Sequence, residues 1–269
     1  MKKTFTCILV ILFAGVTNLT FGQDAEESAT QELAKKLANP IASLISVPFQ
    51  NNMDLGIGEF NGSRNTLNIQ PVIPFSLTEN LNLITRWVQP VISQYNITGE
   101  GQSEFGLGDA VVSTFLSPAN SKGGLSWGVG PVFLVPIGTN DFLTTKKFGI
   151  GPTVIALYQS KGITIGGLIN QIWSIAGDED RSDVNQLFFQ PFITYNWKSG
   201  AGIGANFEIT QNWQGNTTNV WFNPNISTVT SLGKQKTQFL IGPRLNLAAP
   251  DGQKAAFGVR AQVVFLFPK

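Results

Sequence analysis

A carboxylate pair such as Asp109 and Glu208 could do acid–base work, but both fall on predicted inward-facing strand positions that also carry arginines. Carboxylates in that setting are more often a structural charge network. The 269-residue chain contains no histidine, so no imidazole is available as general base, and Ser or Thr nucleophiles are weak without one. Zinc sites built from Cys and His are excluded as well. The single cysteine, Cys7, lies in an apolar leader. The expectation is a protein that is not an enzyme and has no catalytic residues, cofactor or metal.

Two further patterns resemble sites and fail on their spacing. Gly200, Gly202 and Gly204 sit in a segment that keeps alternating and opens no helix, which a phosphate loop requires. Asp178, Asp180 and Ser182 begin like a calcium loop. The sixth position is Asp183 where glycine is needed, and the twelfth is Phe189 where glutamate is needed. A solvated acidic loop is the default reading, with loose calcium or lipopolysaccharide bridging as the alternative.

The elements that position these residues are strands. Ala201, Ile203, Ala205, Phe207 and Ile209 share one parity, and Gly202, Gly204, Asn206, Glu208 and Thr210 share the other. One face is apolar and one is wet. The same alternation sets Phe239, Ile241, Leu245 and Leu247 against Gln238, Arg244 and Asn246, and Val259, Ala261, Val263 and Phe265 against Arg260 and Gln262. Such runs predict strands at 41–51, 65–76, 81–93, 105–116, 124–137, 147–159, 163–176, 184–197, 200–213, 219–230, 236–248 and 255–267. Twelve is an even number, as bacterial single-chain barrels require. Most runs slightly exceed the ~9 to 11 residues that cross a bilayer at a tilt of ~45°. Longer connections (58–64, 94–104, 138–146, 177–183) alternate with tight ones (77–80, 160–162, 198–199), with 117–123 as an exception.

Composition agrees with this arrangement. Charged residues are 13% of the chain against a usual ~25%, while Gly numbers 28 and Phe 20. A barrel with lipid outside and water inside accounts for that balance. Trp127, Trp197, Trp173, Trp213 and Trp221 fall toward predicted strand ends, where an aromatic girdle would sit, and Trp87 falls mid-strand. Pro71, Pro90, Pro131, Pro152, Pro191, Pro224 and Pro243 fall inside predicted strands and are read as bulges or strand starts.

Ahead of the barrel, Lys2 and Lys3 precede an apolar run of about 12 residues and a small-residue exit at Thr20, Phe21 and Gly22. That order predicts a cleaved signal peptide at 1–22 and export to the outer membrane. The run is too short for a transmembrane helix, which needs ~20 residues. Cleavage would remove two of the 18 basic residues and none of the 17 acidic ones, leaving 16 − 17 = −1. Nothing there favours a nucleic-acid partner. Residues 23–40 are read as a periplasmic arm or short helix, with Leu33 and Leu37 at i, i+4 among charges and with Asn39-Pro40 ending it. The barrel is assigned to 41–269.

Ser46-Val47-Pro48-Phe49-Gln50-Asn51-Asn52, Gly106-Leu107-Gly108-Asp109, Gly128-Val129-Gly130-Pro131, Asn170-Gln171-Ile172-Trp173-Ser174, Asp183-Val184-Asn185-Gln186 and Phe265-Leu266-Phe267-Pro268 together resemble the bacterial outer-membrane proteins grouped under the meta-pathway of phenol degradation. Some members of that group are labelled transporters or neuromedin U-like. The resemblance implies an outer-membrane barrel taking up small, aromatic or hydrophobic compounds, and it brings no binding residues with it. Pro268 and Lys269 follow Phe267 where barrel proteins usually end on an aromatic.

Two functions follow from the sequence. The first is a passive channel for small solutes, with Arg86, Asp109, Glu208, Arg244 and Arg260 lining the lumen. The second is a non-transporting structural or adhesion barrel closed by those same side chains. The expected partners are outer-membrane lipid, lipopolysaccharide, the barrel assembly machinery and a small solute.

Overall fold

The computed structural model describes residues 23–120 and 123–267; the predicted signal peptide at 1–22 and the terminal Pro268 and Lys269 lie outside the described residues. A helix, α1 (Gln23–Leu37), precedes fourteen strands among the described residues. They are β1 (Ile45–Ile57), β2 (Gly62–Ile69), β3 (Val72–Thr78), β4 (Leu81–Tyr95), β5 (Ser103–Leu107), β6 (Ala110–Pro118), β7 (Leu125–Val135), β8 (Lys147–Ser160), β9 (Ile163–Gly177), β10 (Asn185–Asn196), β11 (Ala201–Asn212), β12 (Thr217–Leu232), β13 (Gln235–Ala248) and β14 (Phe257–Phe267). Each β-hairpin pairs with the next in sequence, all antiparallel. β14 then returns to β1, from Ile45 opposite Phe267 to Leu55 opposite Phe257.

The ring has twelve staves. β2 and β3 both pair with β1 and β4 and are halves of one stave interrupted at Gln70-Pro71. β5 and β6 both pair with β4 and are halves of another, interrupted at Gly108-Asp109. Closure leaves no open sheet edge, as a structure surrounded by lipid requires. The strand-to-strand turns remote from the loops are tight. Lys161 and Gly162, both at positive φ (48° and 84°), form a two-residue turn of the kind that matches strand twist.

The interior prolines act differently from the expectation. Register does not shift at Pro131 or Pro152: Ser113–Val132 and Leu116–Val129 keep one register across a gap in the β6–β7 ladder, as do Ile150–Trp173 and Thr153–Asn170 across β8–β9. Each proline lacks the N–H that its rung needs, so the ladder loses rungs without gaining a residue. A Cβ on the preceding glycine would stand 1.9 Å from the Thr114 carbonyl oxygen at Gly130 and 1.7 Å from that of Gln171 at Gly151, so only glycine fits that approach. True register shifts lie elsewhere, at Leu55/Ile57, Ser76/Thr78, Phe148/Gly149 and Val220/Trp221.

Alternation sorts the two faces. On β13, Phe239, Ile241, Leu245 and Leu247 are exposed while Arg244 and Asn246 are buried; on β1, Met53 and Leu55 are exposed while Asn52 and Asp54 are buried. A continuous outer surface of large apolar side chains is what lipid contact demands, and it is far beyond the patches that soluble monomers show. Trp127, Trp173, Trp197 and Trp213 are all on it, with Tyr195 edge-on to Trp197 at 5.2 Å.

Candidate functional site

The buried face of the barrel carries the charges. Arg244 on β13 donates from Nε to Asp54 on β1 (3.0 Å) and from Nη1 to Glu208 on β11 (3.1 Å). Arg260 on β14 donates from Nη2 to Glu208 (2.7 Å) and from Nε to Asn52 (2.8 Å). Glu208 is therefore shared by two guanidinium groups, and the network runs along one side of the wall over the adjacent staves from β11 to β1. The Arg244 guanidinium also lies 4.1 Å from the Trp221 ring, a cation–π contact. Such groups persist away from water only with partners in good geometry, since a lone buried ion costs several kcal/mol.

Trp221 corrects one sequence expectation. It lies opposite Glu208 on β11 and Asn246 on β13, two residues from buried Asn223, and opposed residues share a face. It consequently points inward, under Arg244, and is absent from the aromatic girdle.

Toward the end of the barrel remote from α1, Arg64 donates from Nε to Gln94 Oε1 (2.9 Å), and Gln94 Nε2 donates to Glu104 (2.9 Å). The Thr98 hydroxyl closes on the other Glu104 oxygen. Asp109 stands apart from these groups, which corrects its grouping with the lumen charges. The Gly108-Asp109 break releases it from the strand, and its carboxylate accepts from Gly138 N (3.2 Å), Thr144 Oγ1 (2.5 Å), Thr145 N (2.6 Å) and Thr145 Oγ1 (2.6 Å). It clasps the loop at 136–146. Arg181 binds the same loop from outside through the carbonyls of Asp141 (2.6 Å) and Thr144 (2.5 Å). Lys146 pairs with Asp141 (2.7 Å) and Lys147 with Asp183 (3.1 Å). Hydrogen bonding to Lys146 holds the Asp141 carboxyl below its ordinary range, and hydrogen bonds from Lys147 and Ser174 do the same for Asp183.

At the opposite end the lumen is apolar. Ala34 of α1 packs with Leu44, Val229, Val264 and Leu266. The chain then crosses the mouth, and Ile41 enters a buried cluster with Val72, Ile84, Phe115, Ile155 and Leu157 on the far wall. Polar ties fix the crossing: Gln159 Nε2 to Lys35 O (2.8 Å), Asn39 Nδ2 to Ser126 (3.4 Å) and Asn82 Nδ2 to Ser43 (3.0 Å). Segment 30–44 thus straps the mouth from β12 and β14 to β4, β7 and β8.

Arg86 on β4 belongs to neither group. It is partly buried and donates from Nη2 to Gln70 (2.7 Å), with no carboxylate within salt-bridge distance among the described residues.

Four charged partners were missed by sequence reading. Asp54 lay beyond the predicted end of its strand at residue 51, although Asn52/Asp54 against Met53/Leu55 continues the alternation. Arg64 and Glu104 were placed in connections, and nothing local marked Lys147 as a buried rim cation.

No family model and no curated protein matches the chain, so the grouping under phenol degradation finds no support there. Among solved structures, the chain is similar to an outer membrane channel from Pseudomonas putida F1, with 12% identity over 84% of this chain and 96% of that one and a TM-score of 0.67. At that identity the likeness establishes the fold, that of an outer-membrane β-barrel. Weaker likenesses include the outer membrane phospholipase A from Escherichia coli (12% identity, 82% and 96% coverage, TM-score 0.47) and an anion-selective porin from Comamonas acidovorans (11%, 83% and 98%, TM-score 0.36). The expectation that the chain is no enzyme is corrected by the first of these, because a phospholipase stands among the similar barrels. Architecture does not separate channels from enzymes, and a score below 0.5 assigns neither activity.

Proposed function

We propose that this protein is a channel of the bacterial outer membrane through which small solutes move passively, and that segment 30–44 stands in its N-terminal mouth. The carrying observation is the lumen itself: a polar, charged wall built on β1, β11, β13 and β14, inside an apolar outer face. Arg86, Glu208, Arg244 and Arg260 line the path in this reading, with Phe188, Phe192 and Trp221 as apolar stations for aromatic or hydrophobic solutes. Side chains at a constriction set the barrier for solutes of each sign and size. Residues 1–22 act as the export signal, insertion depends on the barrel assembly machinery, and lipopolysaccharide surrounds the outer rim.

A second reading has a specific observation behind it. Ile41 and the ion pairs fill the lumen at two levels, as a structural or adhesion barrel would need. Planar-bilayer recording of the mature chain separates the two: discrete conductance steps are expected for the channel, and a silent barrel supports the alternative. Location is tested by fractionation. The mature chain is expected in the outer membrane, migrating faster unboiled than after heating.

A further inference from the structure

Among the described residues, and beside the Lys147–Asp183 pair at the rim, four arginines (Arg64, Arg86, Arg244, Arg260) face the interior against three carboxylates (Asp54, Glu104, Glu208). Asp54 and Glu208 are taken by Arg244 and Arg260, and Glu104 is tied through Gln94 toward Arg64. The surplus cation is Arg86, whose side chain reaches an amide, Gln70, at 2.7 Å. One N–H is used there, so most of the five donors of its planar fork are left for another acceptor.

Arg86 borders an interior cavity of about 210 Å³ between the N-terminal strap and the charge network. Its polar lining is made almost entirely of amides, including Gln50, Gln190, Asn196, Gln238 and Gln262, and Leu168, Phe192 and Leu240 supply an apolar wall. An amide-lined cavity bordered by a guanidinium that has no carboxylate within salt-bridge distance among the described residues is a feature of a binding site.

We infer that Arg86 and the surrounding amides form a site for a small organic monocarboxylate, held by its carboxylate at Arg86 with its short apolar body against Phe192 and Leu168. The guanidinium fork matches a planar carboxylate in two parallel hydrogen bonds. One surplus positive charge balances a monoanion and leaves a dianion uncompensated. At about 210 Å³ the cavity has room for several waters or a small carboxylate. The inference rests on the channel reading only in making this a stage on the solute path; the site itself is independent of whether the barrel conducts.

The test uses the folded mature chain in detergent, with butyrate and its neutral isostere butyramide as probes in equilibrium dialysis. The wild type is expected to bind butyrate about tenfold more tightly than butyramide, the advantage of charge-assisted over neutral hydrogen bonds. Arg86→Gln is expected to erase that preference. Gln70→Glu keeps Arg86 but supplies an internal carboxylate at the position of the present 2.7 Å contact, and it should erase the preference too. Each variant is first checked for heat-dependent migration, and if one fails to fold the other carries the test. Equal binding of the two probes by the wild type, binding of neither, or a butyrate preference that survives in a folded variant overturns the site. Conductance recorded on the same preparations reports on the channel reading alone.

Discussion

The two ends of the lumen carry opposite chemistry. At the α1 end, Ala34 and Ile41 close the mouth by inserting apolar side chains among Val264, Leu266, Ile84 and Phe115. Toward the other end, Glu208, Arg244, Arg260 and Asp54 line one side of the interior with ion pairs, and Asp109 fastens the loop at 136–146 apart from them. The ionic half is built into the wall, so its partners cannot separate without deforming strands. The apolar half depends on one segment of chain, whose departure, in the channel reading proposed above, would open the way to the polar wall beyond the Ile41 cluster.

Removing one side from this contrast gives the largest expected effect. Glu208→Ala leaves Arg244 with Asp54 alone and Arg260 without a carboxylate; truncating one partner of a buried pair costs about 3–5 kcal/mol. The heat-modifiable transition and the urea midpoint are expected to fall together, whereas an unchanged midpoint would mean that the network is solvated and contributes little. On the apolar side, Ile41→Ala deletes a buried side chain at a cost of about 2–5 kcal/mol, but the loss is expected in strap docking and not in the barrel. Hydrogen exchange should rise across 30–44 while β8 and β9 stay protected.

Asp109→Ala comes next in size. It strips partners from Thr144, Thr145 and the Gly138 amide; only Thr144 is buried, and water can replace the others, so the loss is about 1–3 kcal/mol in all. Faster protease cleavage within 136–146, with no change in barrel melting, is the expected readout.

The smallest effect is in pH. Asp141 and Asp183 both have folded carboxyl values below the ordinary 3.8 because of Lys146 and Lys147. A lowered folded value means that the contact contributes fully above the ordinary value and is lost as pH falls through the lowered one. Loop protection is expected to be flat between about pH 8 and 6 and to weaken only in strong acid. Both carboxylates are fully exposed, so the change should appear in the loops and leave the barrel unaffected.

Much of the wall was legible in sequence, since a period of two with one lipid-facing side allows a single parity for residues such as Arg244, Leu245, Asn246 and Leu247. Stave count followed from the same signal. What was hidden depended on register between distant strands. Asp54 and Arg244 meet across 190 positions of sequence, and no local pattern encodes that. Trp221 shares its parity with Asn223 and so faces inward, which its position near a strand end, the mark of a girdle residue, does not reveal. The Gly-Pro pairs read as bulges because a missing N–H and an extra residue look alike until the opposite strand is seen. Asp109 kept an inward parity on paper, yet the break at Gly108 turned it to the loop. The strap had helical spacing at Leu33 and Leu37, but its docking depends on Ile41 finding a cluster drawn from β3, β4, β6, β8 and β9.

The central claim is that an openable strap closes a built-in polar path. Single-channel conductance in planar bilayers, compared between the mature chain and one lacking residues 23–44, tests it most directly. The account predicts small or infrequent openings with the strap present, and a stable, several-fold larger conductance once it is removed. Equal conductance in the two, or a barrel that stays silent without the strap while folded by heat-dependent migration, would contradict it.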